Sequence, residues 1–236
     1  MPEIEYVEDS MESEELLERL CPPVRNWFKD KFPDFTEPQK VAIPRILNGE
    51  HLLLCSPTGS GKTLTAFLTI IDDLVRRSLD GSLPDAVQCV YISPIKALAN
   101  DIEKNLLGPL GEIKERYLPS RAKEIKVGLR TGDTPQSERE KMLRKPPHIL
   151  ITTPESMGLG LASKRFRPIL DQMKWFIIDE MHSLVPTKRG THLSLSMALM
   201  DSVVSSDVQR IGISATMEPL DAVAEFLVAS DSRESD

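Results

Sequence analysis

Cysteine is scarce in this chain of 236 residues, and the three present, Cys21, Cys55 and Cys89, show no C-x-x-C spacing. That pattern excludes a disulfide framework and a cysteine-built zinc site, and each residue fits a small buried hydrophobe. The histidines show no metal-ligand spacing either, so His51, His148 and His192 read as structural. No basic-then-apolar leader opens the sequence, and no apolar run approaches the roughly 20 residues of a membrane span. A soluble, cytoplasmic protein without a membrane partner is expected. Positive charge is not in excess: residues 1–20 hold eight acids against Arg19 alone, which accounts for the whole net charge of −7. The remainder is neutral, so overall charge offers no argument for a nucleic-acid partner, and any such case rests on local motifs. No repeat of fixed period appears.

What is present has the length and the 40% apolar content to fill one sizeable core. Residues 1–12, acidic and poor in aromatics, read as a flexible tail, and 229–236 as a disordered end. Between 13 and 49 the pattern is helical. Ser13 is a candidate N-cap, Pro22-Pro23 open a helix carrying Val24, Trp27 and Phe28, and Thr36 with Pro38 starts another that ends at Asn48-Gly49. From 50 to 228, apolar runs ("HLLLC", "VQCVYIS", "IKVGL", "HILIT", "WFIID", "VQRIGIS") alternate with helical segments at 62–79, 95–107, 136–144, 155–162 and 191–205. Runs without polar alternation suit strands buried on both faces of a mainly parallel sheet, with helices on each side.

"CSPTGSGKT" follows the first of those strands and opens the first long helix, the context that gives a phosphate-loop pattern its meaning. Pro57, Thr58, Gly59, Ser60 and Gly61 would turn backbone N–H groups onto phosphate oxygens, helped by the helix N-terminus. Lys62 would reach the β- and γ-phosphates, and Thr63 would place its hydroxyl on Mg²⁺. Ser56 stands where the usual pattern begins with Gly, at a position that needs only a small residue. A second site narrows the chemistry: "WFIIDEMH" puts Asp179 and Glu180 at the C-terminal end of an apolar strand, where open α/β sheets bind ligands. Asp179 is the candidate metal ligand and Glu180 the candidate base for an attacking water. Neither an N-K-x-D guanine-reading motif nor an L-S-G-G-Q transporter signature is found.

With "TEPQ", "SPTGSGKT", "SPIKALAND", "RTGDT", "TTPES", "DEMH" and "ISAT" in this order, the chain resembles the first RecA-like domain of superfamily 2 helicases over about residues 22–228. "DEMH" is the DExH form of the second motif. The wording of "SPIKALAND", "KRGTHLSL" and "SATMEPLDAVAEFL" is most similar to the large helicase-related family of archaea and bacteria. The resemblance implies a RecA-like P-loop NTPase fold and an ATP- and Mg²⁺-dependent motor acting on single-stranded DNA or RNA, and therefore a nucleoid-associated location. By the same resemblance Gln39 would bond the adenine edge, with Phe28, Phe32 or Phe35 open as its aromatic partner.

His182, Ser214 and Thr216 would couple the nucleotide to an adjoining motor domain. Three loops that leave strands at one sheet edge would grip the nucleic-acid backbone: Ser93, Pro94, Lys96 and Asn100; Arg130, Thr131 and Gly132; Thr152, Thr153, Pro154 and Glu155. Lys188-Arg189 is a further candidate contact. No Q-x-x-x-R-x-x-R run of arginine fingers occurs after Met217, so the second RecA-like domain is expected to be absent from this chain and its isolated turnover feeble. A rival reading is a stand-alone ATP-responsive adaptor that binds nucleic acid or protein without processive work. A small-molecule kinase is a third, for which no acceptor site is evident.

Overall fold

The computed structural model describes residues 3–57, 59–94, 101–205, 207–215 and 218–228. Thr58, Lys96, Asn100, Thr216 and the 229–236 end, all singled out above, lie outside the described residues. Helices α1 (Ser13–Arg19), α2 (Pro22–Lys31) and α3 (Glu37–Leu47) come first. They are followed by β1 (Leu52–Cys55), α4 (Lys62–Asp80) and β2 (Cys89–Ile92). A π-turn, Glu103–Leu107, then runs into α5 (Gly108–Tyr117), ahead of β3 (Val127–Arg130), α6 (Gln136–Arg144), β4 (Ile149–Thr152) and α7 (Pro154–Leu161). Next come a 3₁₀ turn, Arg167–Leu170, β5 (Trp175–Ile178), α8 (Met181–Leu184), α9 (Lys188–Asp201), β6 (Gln209–Ser214) and α10 (Leu220–Val228).

The six strands form one parallel sheet in the order β1-β6-β5-β2-β4-β3. Alternation along each strand divides the core in two. Cys89 and Tyr91 of β2, Ile149 and Ile151 of β4, and Ile177 of β5 face the layer that contains α1 to α5. Val90, Ile92, Leu150, Phe176 and Ile178 face the layer of α7 to α10. Both faces are therefore dry, which is why these strands read as unbroken apolar runs. The edge strand β3 is the exception, with Leu129 half exposed and no buried residue on the neighbouring α6.

Polar side chains buried in the core fasten the layers. Asp72 of α4 accepts from Cys21 N (2.6 Å) at the start of α2 and from Arg76 Nε (2.7 Å). Burial beside that carboxylate pushes the Cys21 thiol up to about 12. Arg210, the second residue of β6 and 1% exposed, grips both carboxylate oxygens of Asp201 at 2.6 Å and the carbonyl of Leu227 at 3.0 Å. One guanidinium thus ties the strand to α9 and α10.

Several local expectations shift. Ser13 begins α1 with Glu12 as the N-cap, and its hydroxyl donates to Asp34. The helix expected at 191–205 starts three residues earlier and ends at Asp201. Helix α5, Gly108–Tyr117, is an element beyond the helical segments expected from the sequence. The helical path runs on from residue 101, and the π-turn whose Gly108 N closes onto Glu103 O sits immediately ahead of Pro109. Residues 3–12 form no helix or strand but touch the body at three points: Met11 N donates to Lys40 O (3.2 Å), Arg45 to Asp9 O (3.1 Å) and Tyr6 OH to Asp221 (2.6 Å). Among the described residues no helix is long and apolar enough to cross a membrane.

Candidate active site

The parallel sheet delivers β1, β6 and β5 side by side, so the loops after them share one edge. The loop after β1 turns at Gly59 (φ +83°) and Gly61 (φ +86°), both in the left-handed region that glycine enters without strain. Gly61 has a second reason to lack a side chain, since a β-carbon there would lie 3.0 Å from Gln39 Nε2. Gln39 is itself fixed, its Oε1 accepting from Thr36 N (2.9 Å) at the N-cap of α3, while Thr36 Oγ1 donates to Ser60 O (3.0 Å). Helix α3 therefore braces the phosphate loop directly. Lys62 Nζ donates to Pro57 O (2.7 Å) and to Ser56 O, folded across the mouth of the loop. Burial lowers its pKa, against the upward pull of the Glu180 and Asp179 charges.

Asp179 is 5% exposed. Its Oδ1 accepts from Glu180 N (2.8 Å) and its Oδ2 from the hydroxyl of Tyr91 on β2. Burial dominates and raises its pKa to about 6; the two hydrogen bonds oppose this, and the charges of Glu180 and Asp101 add to it. Glu180 is the one described non-glycine residue with positive φ, at 54° and ψ 40°. This left-handed conformation, costly for a non-glycine residue, lies between the end of β5 and the start of α8.

Glu180 Oε2 lies 3.0 Å from His182 Nε2. The other ring nitrogen, Nδ1, accepts from Ala215 N (3.2 Å) and lies 3.4 Å from Ser214 Oγ, which in turn accepts from His182 N (3.2 Å). A backbone N–H only donates, so Nδ1 is unprotonated and the neutral ring carries its proton on Nε2, facing Glu180. A continuous hydrogen-bonded path thus links the carboxylate after β5 to the loop after β6.

Gly59, Gly61, Lys62, Asp179 and Glu180 line one cleft of about 640 Å³, together with Phe32, Gln39, Thr63 and the start of α5. The three aromatic candidates separate here. Phe28 and Phe35 stack on each other at 4.0 Å in the core, at 2% and 4% exposed, whereas Phe32 is 36% exposed and reaches the cleft. No group of three or more His, Cys, Asp or Glu side chains suited to a metal occurs among the described residues. The donor set around Asp179, one buried carboxylate beside Thr63, fits Mg²⁺ carried in by nucleotide phosphates rather than a resident ion.

The other half of the edge, after β2, β4 and β3, behaves differently. Ser93, Thr152, Thr153 and Pro154 are buried. Thr152 Oγ1 donates to Arg130 O (2.6 Å), and Thr153 caps α7 by accepting from Ser156 N (3.3 Å). The Arg130 guanidinium sits 4.5 Å over the Phe166 ring and donates to Ser156 O (2.7 Å), with its pKa lowered by burial. Glu155 is exposed but paired with Arg189 at 2.5 and 3.3 Å. In this structure these hydroxyls and the Arg130 cation are engaged by neighbouring protein groups, which shape the loops from behind. Gly132 is exposed and Thr131 half-buried. Arg139, which sequence reasoning passed over, cages their turn by donating to the carbonyls of Thr131 (3.1 Å), Gly132 (2.8 Å) and Thr134 (2.9 Å). Tyr91 was also missed, hidden inside an apolar run.

Fold and site together define a P-loop NTPase domain of the RecA-like type. Residues 36–224 match the DEAD/DEAH box helicase family, and the chain belongs to it. It is 47% identical over 232 residues to the ATP-dependent helicase Lhr-Core of Methanocaldococcus jannaschii, spanning 98% of this chain and 27% of that protein. To the protein of the same name from Methanothermobacter thermautotrophicus it is 53% identical over 210 residues, or 89% of this chain and 24% of the relative. The solved structure of the Mycobacterium smegmatis helicase Lhr bound to ssDNA and AMP-PNP superposes with a TM-score of 0.80 at 44% identity, covering 90% of this chain and 27% of the other. The chain spans about a quarter of the length of these relatives.

Proposed function

We propose that this chain is the ATP-binding half of a helicase or translocase motor, coupling ATP hydrolysis to movement on single-stranded DNA or RNA together with a second RecA-like domain. The observation that carries the reading is the path from Glu180 through His182 to Ser214 and Ala215, set in front of a phosphate loop. ATP enters the cleft with its base against Phe32 and the Gln39 amide, and its phosphates on the N–H groups of residues 57–63. Lys62 leaves the carbonyls of Ser56 and Pro57 for the β- and γ-phosphates. Thr63 and Asp179 would hold Mg²⁺, which when bound draws charge from the phosphate oxygens. Glu180 orients the attacking water and takes its proton.

His182 reports that change to Ser214 and Thr216, and through them to the second domain, which supplies the cations that complete the transition-state site. The turn at Thr131–Gly132 and the loops after β2 and β4 track the sugar-phosphate backbone by N–H groups, without reading sequence.

The test compares ATP turnover of these 236 residues with that of a polypeptide that also carries a second RecA-like domain, each with single-stranded DNA, with RNA, or with neither. The expected result is nucleotide binding with feeble turnover by the short chain, and turnover stimulated by single strands in the longer one. Robust strand unwinding by the short chain would overturn the division of labour proposed here.

A further inference from the structure

Tyr91 has no place in the chemistry described so far, yet it touches the centre of it. In the sheet register Tyr91 stands beside Ile177. Asp179 is two residues further on, so by strand alternation it emerges on the same face, one step diagonally away. The phenol bridges that step and donates to Asp179 Oδ2. Tyr91 is 1% exposed, which leaves no water to replace the bond, and its ring packs on Phe67 of α4 with centroids 4.8 Å apart. Phe67 is four residues after Thr63 and so shares its face of α4. The brace behind Asp179 therefore comes from the helix that carries the other candidate metal-holding side chain.

We propose that Tyr91 is a positioning residue of the nucleotide site, locking the Asp179 carboxylate so that its remaining lone pairs face the metal of a Mg²⁺·nucleotide. This rests on the metal role given to Asp179 above. The geometry distinguishes it from simple satisfaction of a buried acid. With Glu180 N on one oxygen and Tyr91 on the other, both carboxylate oxygens are anchored and rotation about the last side-chain bond is blocked. A carboxylate that is free to rotate would have to be ordered each time the metal arrives.

The experiment measures the affinity of this chain for a fluorescent, non-hydrolysable ATP analogue, with saturating Mg²⁺ and with EDTA, in the wild type, Tyr91→Phe, Asp179→Asn and the double variant. Tyr91→Phe keeps the ring and its contact with Phe67. The expected result is about a tenfold loss of affinity in Mg²⁺, from losing one charge-assisted hydrogen bond, with binding in EDTA unchanged and the thermal midpoint lower by about 3 °C, since a buried acid loses a partner. In the Asp179→Asn background the same change should do nothing further. Wild-type binding by Tyr91→Phe, or equal losses with Mg²⁺ and EDTA, would overturn the proposal. Should Tyr91→Phe fail to fold, Phe67→Leu loosens the brace while keeping the hydroxyl. It should raise the Mg²⁺ concentration for half-maximal nucleotide binding by about threefold, and no rise would count against the brace. An Asp179→Asn variant whose affinity still gains fully from Mg²⁺ would remove the metal reading itself, which separates that failure from a failure at Tyr91.

Discussion

The two halves of the sheet's C-terminal edge hold similar kinds of residue under opposite conditions. After β1, β6 and β5 the acids are held at a cost: Asp179 is buried with its pKa raised, and Glu180 sits at positive φ. After β2, β4 and β3 the same edge carries hydroxyls and arginines whose partners are already in place. Groups held at such a cost have something to gain from a ligand. Compensated ones hold loops in shape. The difference supports the proposed division of labour, with chemistry at the first half and loop positioning at the second.

The largest effect that would test this contrast is Glu180→Gln. Turnover stimulated by nucleic acid should fall by about a hundredfold or more, as expected for loss of a general base, while nucleotide affinity holds. Retained turnover would move the base elsewhere and dissolve the distinction. On the platform side, Arg130→Ala should act through the fold instead. It strips the guanidinium from Phe166 and leaves Ser156 O without that donor, a loss of about 2 kcal/mol measured by urea unfolding. The salt dependence of single-strand binding should stay as in the wild type. A direct phosphate contact at Arg130 would instead lower the log–log salt slope by about 0.7.

A comparable number with the opposite sign belongs to Asp179. Its folded pKa, about 6, lies above the 3.8 of an ordinary aspartate, so the folded state binds the extra proton between those pH values. Stability is therefore favoured below about pH 4 and declines as pH rises to about 6. Above that, the full cost of a buried charge remains. Asp179→Asn should remove this slope and stabilise the protein at pH 7 by about 2 kcal/mol, while abolishing turnover. Chemical denaturation across pH 4–7 checks it, and a variant less stable than wild type at pH 7 would mean that the acid is compensated after all.

Much of this was legible in advance because it is local. Strand, loop and helix in order around "CSPTGSGKT", and two acids ending "WFIID", depend on chain neighbours and a period, and those survive folding unchanged. Other features depend on register. Tyr91 is an aromatic in an apolar run until β2 pairs with β5 and brings it beside Asp179. Arg130 and Arg189 look like cations awaiting phosphate until folding supplies Phe166 and Glu155. The choice among Phe28, Phe32 and Phe35 likewise turns on which ring the core has left uncovered, a property of packing that spacing does not carry.

The smallest effect tests the platform at its most ambiguous residue. Glu155 opens α7 beside the loop after β4, where an anion opposes a phosphate backbone, and it is paired with Arg189 on α9. Burial alone would raise its pKa, but the hydrogen bond and charge of Arg189 outweigh that and lower it. The side chains are 48% and 37% exposed, so the pair contributes under about 1 kcal/mol to stability. Glu155→Gln should thus leave the unfolding midpoint nearly unchanged. It also removes a negative charge from the edge and releases Arg189 toward solvent. Single-strand affinity should then rise about two- to threefold at low salt, with a salt slope steeper by about 0.7. Weaker binding in Glu155→Gln would restore the acid as a direct contact, and would show that this half of the edge is more than a frame.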